Sequence, residues 1–92
     1  MAKENPPIFD ALFREKPTMM LVTLLNTNEE MYASTLAKAV DCTYSHVVKV
    51  LQEMNKAGLV GFHKQGRLKI LSLTKKGEKV ASSLNDIRKV LL

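Results

Sequence analysis

The hydrophobic period of this chain changes at a single residue, Gly58. Upstream, TYSHVVKVLQEMNK has the period of a helix. With Tyr44 at 0° and about 100° per residue, Val47, Val50, Leu51 and Met54 fall between about 240° and 340° and define a buried side. Thr43 is the candidate N-cap, the helix is expected to run to Ala57, and Gly58 stands where helices commonly stop. Downstream, LVGFHK and RLKILSL alternate as two short strands, with QG between them as a turn signal. Such a hairpin projects Lys64, Gln65, Gly66 and Arg67 at its tip.

The flanking segments are helical. IFDALFRE (8–15) sets Ile8, Phe9, Leu12 and Phe13 on one side, and Pro17 suits the first turn of a second helix running to about Asn26. That helix is apolar nearly all round, so it needs cover on more than one side, from the chain itself or from a second subunit. NTNEE (26–30) reads as a loop and MYA as a short extended piece. Ser34 is the expected N-cap of STLAKAV, DCT breaks that helix, and Thr74 can cap a last helix, KKGEKVASSLNDIRKVLL. The expectation is one domain over 1–92: N-terminal helices (8–30), a helix pair with a tight turn (34–57), a hairpin (59–73) and a C-terminal helix (75–92). The fold class is mainly α with a small β-hairpin.

The charge is unevenly placed. The net charge is +5, yet the block from Cys42 to Gly77 holds seven basic residues (Lys49, Lys56, Lys64, Arg67, Lys69, Lys75, Lys76) against one acid, Glu53. That block alone carries +6, which favours a polyanionic partner. Opposite the buried side of helix 43–57, between about 80° and 140°, lie Ser45, Lys49, Gln52 and Lys56, with no carboxylate among them. Such a face suits a DNA major groove: short polar and amide side chains near the helix start reach base edges, and lysines meet phosphates.

These residues carry a resemblance. TLAKAVDCTYSHVVKVLQEMNKAGLV (35–60), a basic hairpin and then LSLTKKG (71–77) resemble winged helix-turn-helix regulators of the MarR and ArsR type, over residues 31 to 80. The resemblance implies sequence-selective binding of double-stranded DNA by a homodimer on a near-palindromic site. It places Tyr44, Ser45, His46, Lys49 and Gln52 in the groove with Thr43 at the helix start. His63, Lys64, Arg67 and Lys69 then belong to the wing, and Ser34 and Thr35 lie where such proteins touch phosphate. Two departures stand out: position 41 is Asp where such turns hold Gly, and the long extra helices that frame an inducer pocket in larger MarR proteins have no counterpart in these 92 residues.

In the last helix Val80, Leu84, Ile87 and Leu91 fall within about 60° of arc, a narrow seam expected to form the dimer interface. Cys42 sits four residues before His46, but a metal site takes three or four ligands and only His63 remains as a further such donor, so neither metal nor cofactor is expected. No nucleophile–base pair or phosphate-binding glycine loop appears, and no enzymatic activity is expected. MAKENPP lacks the apolar core of a secretory signal and MMLVTLL is too short to span a bilayer, so the expected location is the cytoplasm. Two other readings fit the same fold: a protein-interaction module of the transcription machinery, and a non-specific architectural DNA coater.

Overall fold

A computed structural model describes residues 14–91. Its elements run α1 (Glu15–Asn26), α2 (Ala33–Ala39), α3 (Tyr44–Lys56), β1 (Val60–Gln65), β2 (Leu68–Leu73) and α4 (Lys75–Leu91). The helix expected over 8–15 lies outside the described residues except at its end, where Arg14 is the N-cap of α1 and Glu15 its first residue. Pro17 occupies the third position of α1, where no intrahelical donor is required.

α1 is covered largely by its own chain. Met20 and Leu21 are fully buried and Val22 nearly so, while Met19, Leu24 and Leu25 pack partly against the same core. α4 is its principal neighbour, with β2 and α2 completing the enclosure. The core is filled by Leu36 from α2, by Val47, Leu51 and Met54 from α3, and by Leu59 and Val60 at the root of the hairpin. The side of α3 expected to be buried is therefore the side that is buried.

The start of α2 differs from expectation. Its N-cap is Tyr32, and Ser34 is the second helical residue. Thr35 takes over the capping: its Oγ1 accepts from the Tyr32 backbone N–H at 2.8 Å and donates to the Tyr32 carbonyl at 3.0 Å. A threonine three residues into the helix can reach back to the cap position, which is half of the reciprocal capping arrangement. The extended piece at MYA is real but brief. Met31 bridges Leu71 antiparallel, and the Leu71 N–H donates to its carbonyl at 2.8 Å.

Both helix ends that frame α3 close in the same manner. After α2 the chain turns left-handed at Asp41 (φ 54°), the Asp41 N–H donates to Lys38 and the Cys42 N–H to Ala37. After α3 it turns left-handed at Gly58 (φ 78°), with Gly58 N–H to Asn55 and Leu59 N–H to Met54. These are paired carbonyl closures of the Schellman type. Aspartate thus performs the turn that glycine performs elsewhere, since a short polar side chain tolerates this region better than most.

β1 and β2 pair antiparallel from Val60↔Leu73 to Gln65↔Leu68. The two-residue turn has Gly66 at φ 64° and Arg67 at negative φ, the pattern of a type II′ hairpin, so Arg67 is a turn residue and not part of the strand. Only the root of the hairpin is buried. From Phe62 to Lys69 every residue is exposed.

Candidate nucleic-acid interface

Local sequence sets the orientation of α3. The Thr43 Oγ1 accepts from the His46 N–H at 3.3 Å, fixing the first turn, so its hydroxyl serves the helix first. At the far end three residues of the LTKKG stretch dock on the end of α3. Thr74 Oγ1 donates to the Gly58 carbonyl at 2.6 Å and accepts from the Gly77 N–H at 2.9 Å. Lys76 Nζ donates to the Ala57 carbonyl at 2.9 Å, placing a cation where the helix dipole favours it. Gly77 lies directly over Leu59, where any Cβ would collide with the Leu59 carbonyl oxygen. Lys76 therefore serves the scaffold as well, while its ammonium stays exposed and keeps its charge.

With α3 held at both ends, its outer residues face outward. Tyr44, Ser45, His46, Lys49, Gln52 and Lys56 are all exposed, Tyr44 by 60%. Val48 is half-buried at the edge of the stripe. His63, Lys64, Arg67 and Lys69 are exposed along the hairpin. Ser34 is exposed, whereas the Thr35 hydroxyl is committed to the Tyr32 cap.

The structure divides these residues between the two flanks of α3. On the hairpin side, Ser34, Tyr44, Gln52, Arg67 and Lys69 line one cleft of about 450 Å³ whose lining contains no carboxylate. On the opposite flank, His46 and Lys49 line a hollow of about 290 Å³ against the start of α1, together with Arg14, Lys16, Glu15 and Glu53. Charges there are mixed, and Lys16 Nζ is turned onto the Val40 carbonyl at 2.7 Å. His63 and Lys64 line neither cleft, and adjacent strand residues point to opposite faces of the hairpin.

Sequence reading missed five residues of the first cleft: Tyr32, Ala33, Phe62, Leu68 and Leu71. Phe62 and Leu68 remain 42% and 50% exposed, and Lys69 Nζ lies 5.8 Å from the centroid of the Phe62 ring. Their alternation marks them as strand residues, but only the register shows which of them face α3. That register also sets Lys64 directly across from Lys69, a like-charge pair that weakens a hairpin.

The seam expected in the last helix is split. Val80 and Leu84 pack against the domain's own core, while Ile87 and Leu91 are exposed by 52% and 81%, with Val90 beside them at 84%. Cys42 packs half-buried against the core as a small apolar filler. Among the described residues no three His, Cys, Asp or Glu side chains converge on a metal-sized site, and no helix is long and apolar enough to cross a membrane.

The HVO_A0114 family model matches residues 15–80. The crystal structure of AF1382 from Archaeoglobus fulgidus is similar, at 28% identity and a TM-score of 0.81, over 94% of this chain and 97% of that one. The MarR family transcriptional regulator SPO1453 from Silicibacter pomeroyi is 25% identical with a TM-score of 0.76 over 90% of this chain, which spans 60% of that protein. A mutant of MepR from Staphylococcus aureus, bound to an oligodeoxyribonucleotide, is 18% identical with a TM-score of 0.76, over 91% of this chain and 64% of that one.

Proposed function

The chain belongs to the HVO_A0114 family and carries the winged-helix fold of the MarR-type regulators, and we propose that it is a transcription regulator that binds double-stranded DNA selectively. One observation carries this reading: Tyr44 and Gln52 of the exposed side of α3 and Arg67 and Lys69 of the hairpin bound a single cleft whose lining holds no carboxylate. α3 enters the major groove, where Tyr44, Ser45, His46 and Gln52 reach base edges and Lys49 a phosphate. Arg67 at the hairpin turn meets the backbone or the neighbouring minor groove, with Lys64 and His63 beside it. Ser34 borders the strand at the start of α2.

The working form in this reading is a homodimer. Ile87, Val90 and Leu91 leave an apolar end on α4 that a second copy would cover, and two-fold symmetry would set the two α3 helices about 34–36 Å apart. Selection from random duplexes at physiological salt tests both statements. The expected product is an enriched motif with two inverted half-sites one helical turn apart. An enriched single half-site would remove the dimer, and no enrichment would replace the regulator with a coater. Ser45→Ala and Gln52→Ala should shift the enriched motif, whereas Lys49→Ala and Arg67→Ala should weaken binding to every duplex.

A further inference from the structure

We infer that the cleft between α3 and the hairpin is the seat of one sugar–phosphate strand of the DNA, with Phe62 as the residue on which a deoxyribose rests. The inference deepens the DNA-binding reading and rests on it. If α3 lies in the major groove and the hairpin turn reaches the adjacent minor groove, the two elements straddle the strand that separates those grooves. Whatever lies between them is then that strand.

The cleft has the chemistry such a strand requires. Its floor is apolar, formed by Val48, Leu51, Phe62 and Leu71, and its rim carries Arg67 and Lys69 with no opposing carboxylate. A sugar–phosphate strand alternates an apolar ring with an anion, and floor and rim alternate in the same sense. Lys69 is drawn over the Phe62 ring at 5.8 Å, so a phosphate bound by its ammonium sits beside a sugar on the ring. Lys64, directly across from Lys69 in the register though outside the cleft lining, adds a nearby cation whose repulsion with Lys69 a bound phosphate would relieve. Phe62 and Leu68 are 42% and 50% exposed and so are accessible to this occupant.

A deoxyribose on Phe62 places its 2′ carbon against an aromatic face, where a ribose hydroxyl finds no hydrogen-bond partner. The test uses the full-length protein and its selected duplex, with single ribose substitutions scanned along each strand. Wild type should lose about tenfold in affinity at one position between the major-groove and minor-groove contacts. Phe62→Ala should weaken the all-deoxy duplex by about fivefold to tenfold, leave the salt slope unchanged and erase the penalty of that ribose. Lys69→Ala should instead reduce the salt slope by about one. Phe62→Leu, which preserves an apolar floor, guards against a collapsed hairpin and should bind nearly as wild type. A Phe62→Ala variant that binds as wild type, or a ribose scan with no position coupled to Phe62, overturns the inference and leaves the DNA-binding reading standing. Failure of folded wild type to bind any duplex removes both.

Discussion

At the scale of single residues, the end of the α3 helix shows how a short motif becomes a joint. Thr74, Lys76 and Gly77 lie within four positions of one another, and all three act on the backbone of 57–59, fifteen or more residues earlier. The hydroxyl caps α4 while holding the Gly58 carbonyl, the ammonium caps α3, and the missing Cβ lets the two helix ends touch. Gly77→Ala should therefore cost about 1–3 kcal/mol, because the obstruction is the rigid Leu59 carbonyl and not a side chain that can swing aside. Denaturant unfolding reads this directly, and an unchanged midpoint would show that the helices separate freely. The Thr74 cap was legible in the sequence, since threonine before a helical run has local meaning. The use of Lys76 and Gly77 was not, because their partners are remote in the chain. The same limit explains Ser34. A serine before an apolar run is a reasonable cap, but the bridge from Met31 to β2 fixes where the extended chain ends. The helix accordingly begins earlier than a Ser34 cap requires, at Ala33 with Tyr32 as cap.

At the scale of elements, period and punctuation made α3 and the hairpin readable. The change at Gly58 marks the true boundary, and the buried side of α3 consists of the four residues its spacing named. The relation between elements was less accessible. Pairing register decides that Phe62, Lys64 and Lys69 act together, and register depends on the two-residue turn falling at Gly66-Arg67, one position beyond the Gln65-Gly66 expected. The hairpin consequently combines an exposed aromatic with facing lysines, an arrangement poor for stability and suited to a polyanion. Lys64→Glu separates the two effects. It turns the like-charge pair into an opposite-charge one, which should hold or slightly raise stability, by up to about 1 kcal/mol. Duplex affinity should nevertheless fall by more than about tenfold, because one cation near the phosphates is replaced by an anion. A fall in stability alongside the fall in affinity would mean the hairpin is maintained by something other than this pair.

At the scale of the whole molecule, the basic residues grouped in the sequence are also exposed in three dimensions. Lys76 is tied to the α3 terminus with its charge still exposed, and Lys49, Lys56, Lys64, Arg67 and Lys69 lie on the exposed surface of α3 and the hairpin. The seam of α4 was legible as an apolar stripe but not in its division, because the stripe pattern is the same whether the neighbour is α1 or another copy. Val80 and Leu84 serve the core, and only the distal end carrying Ile87, Val90 and Leu91 is left uncovered.

The central claim is that the outward side of α3 and the hairpin together meet a double helix through its phosphates. The salt dependence of duplex affinity tests it most directly, measured for wild type, Lys49→Ala and Arg67→Ala on one selected site. The logarithm of the association constant should fall linearly with the logarithm of salt concentration, and each substitution should reduce the slope by about one. Affinity independent of salt, or variants with the wild-type slope, would contradict the claim.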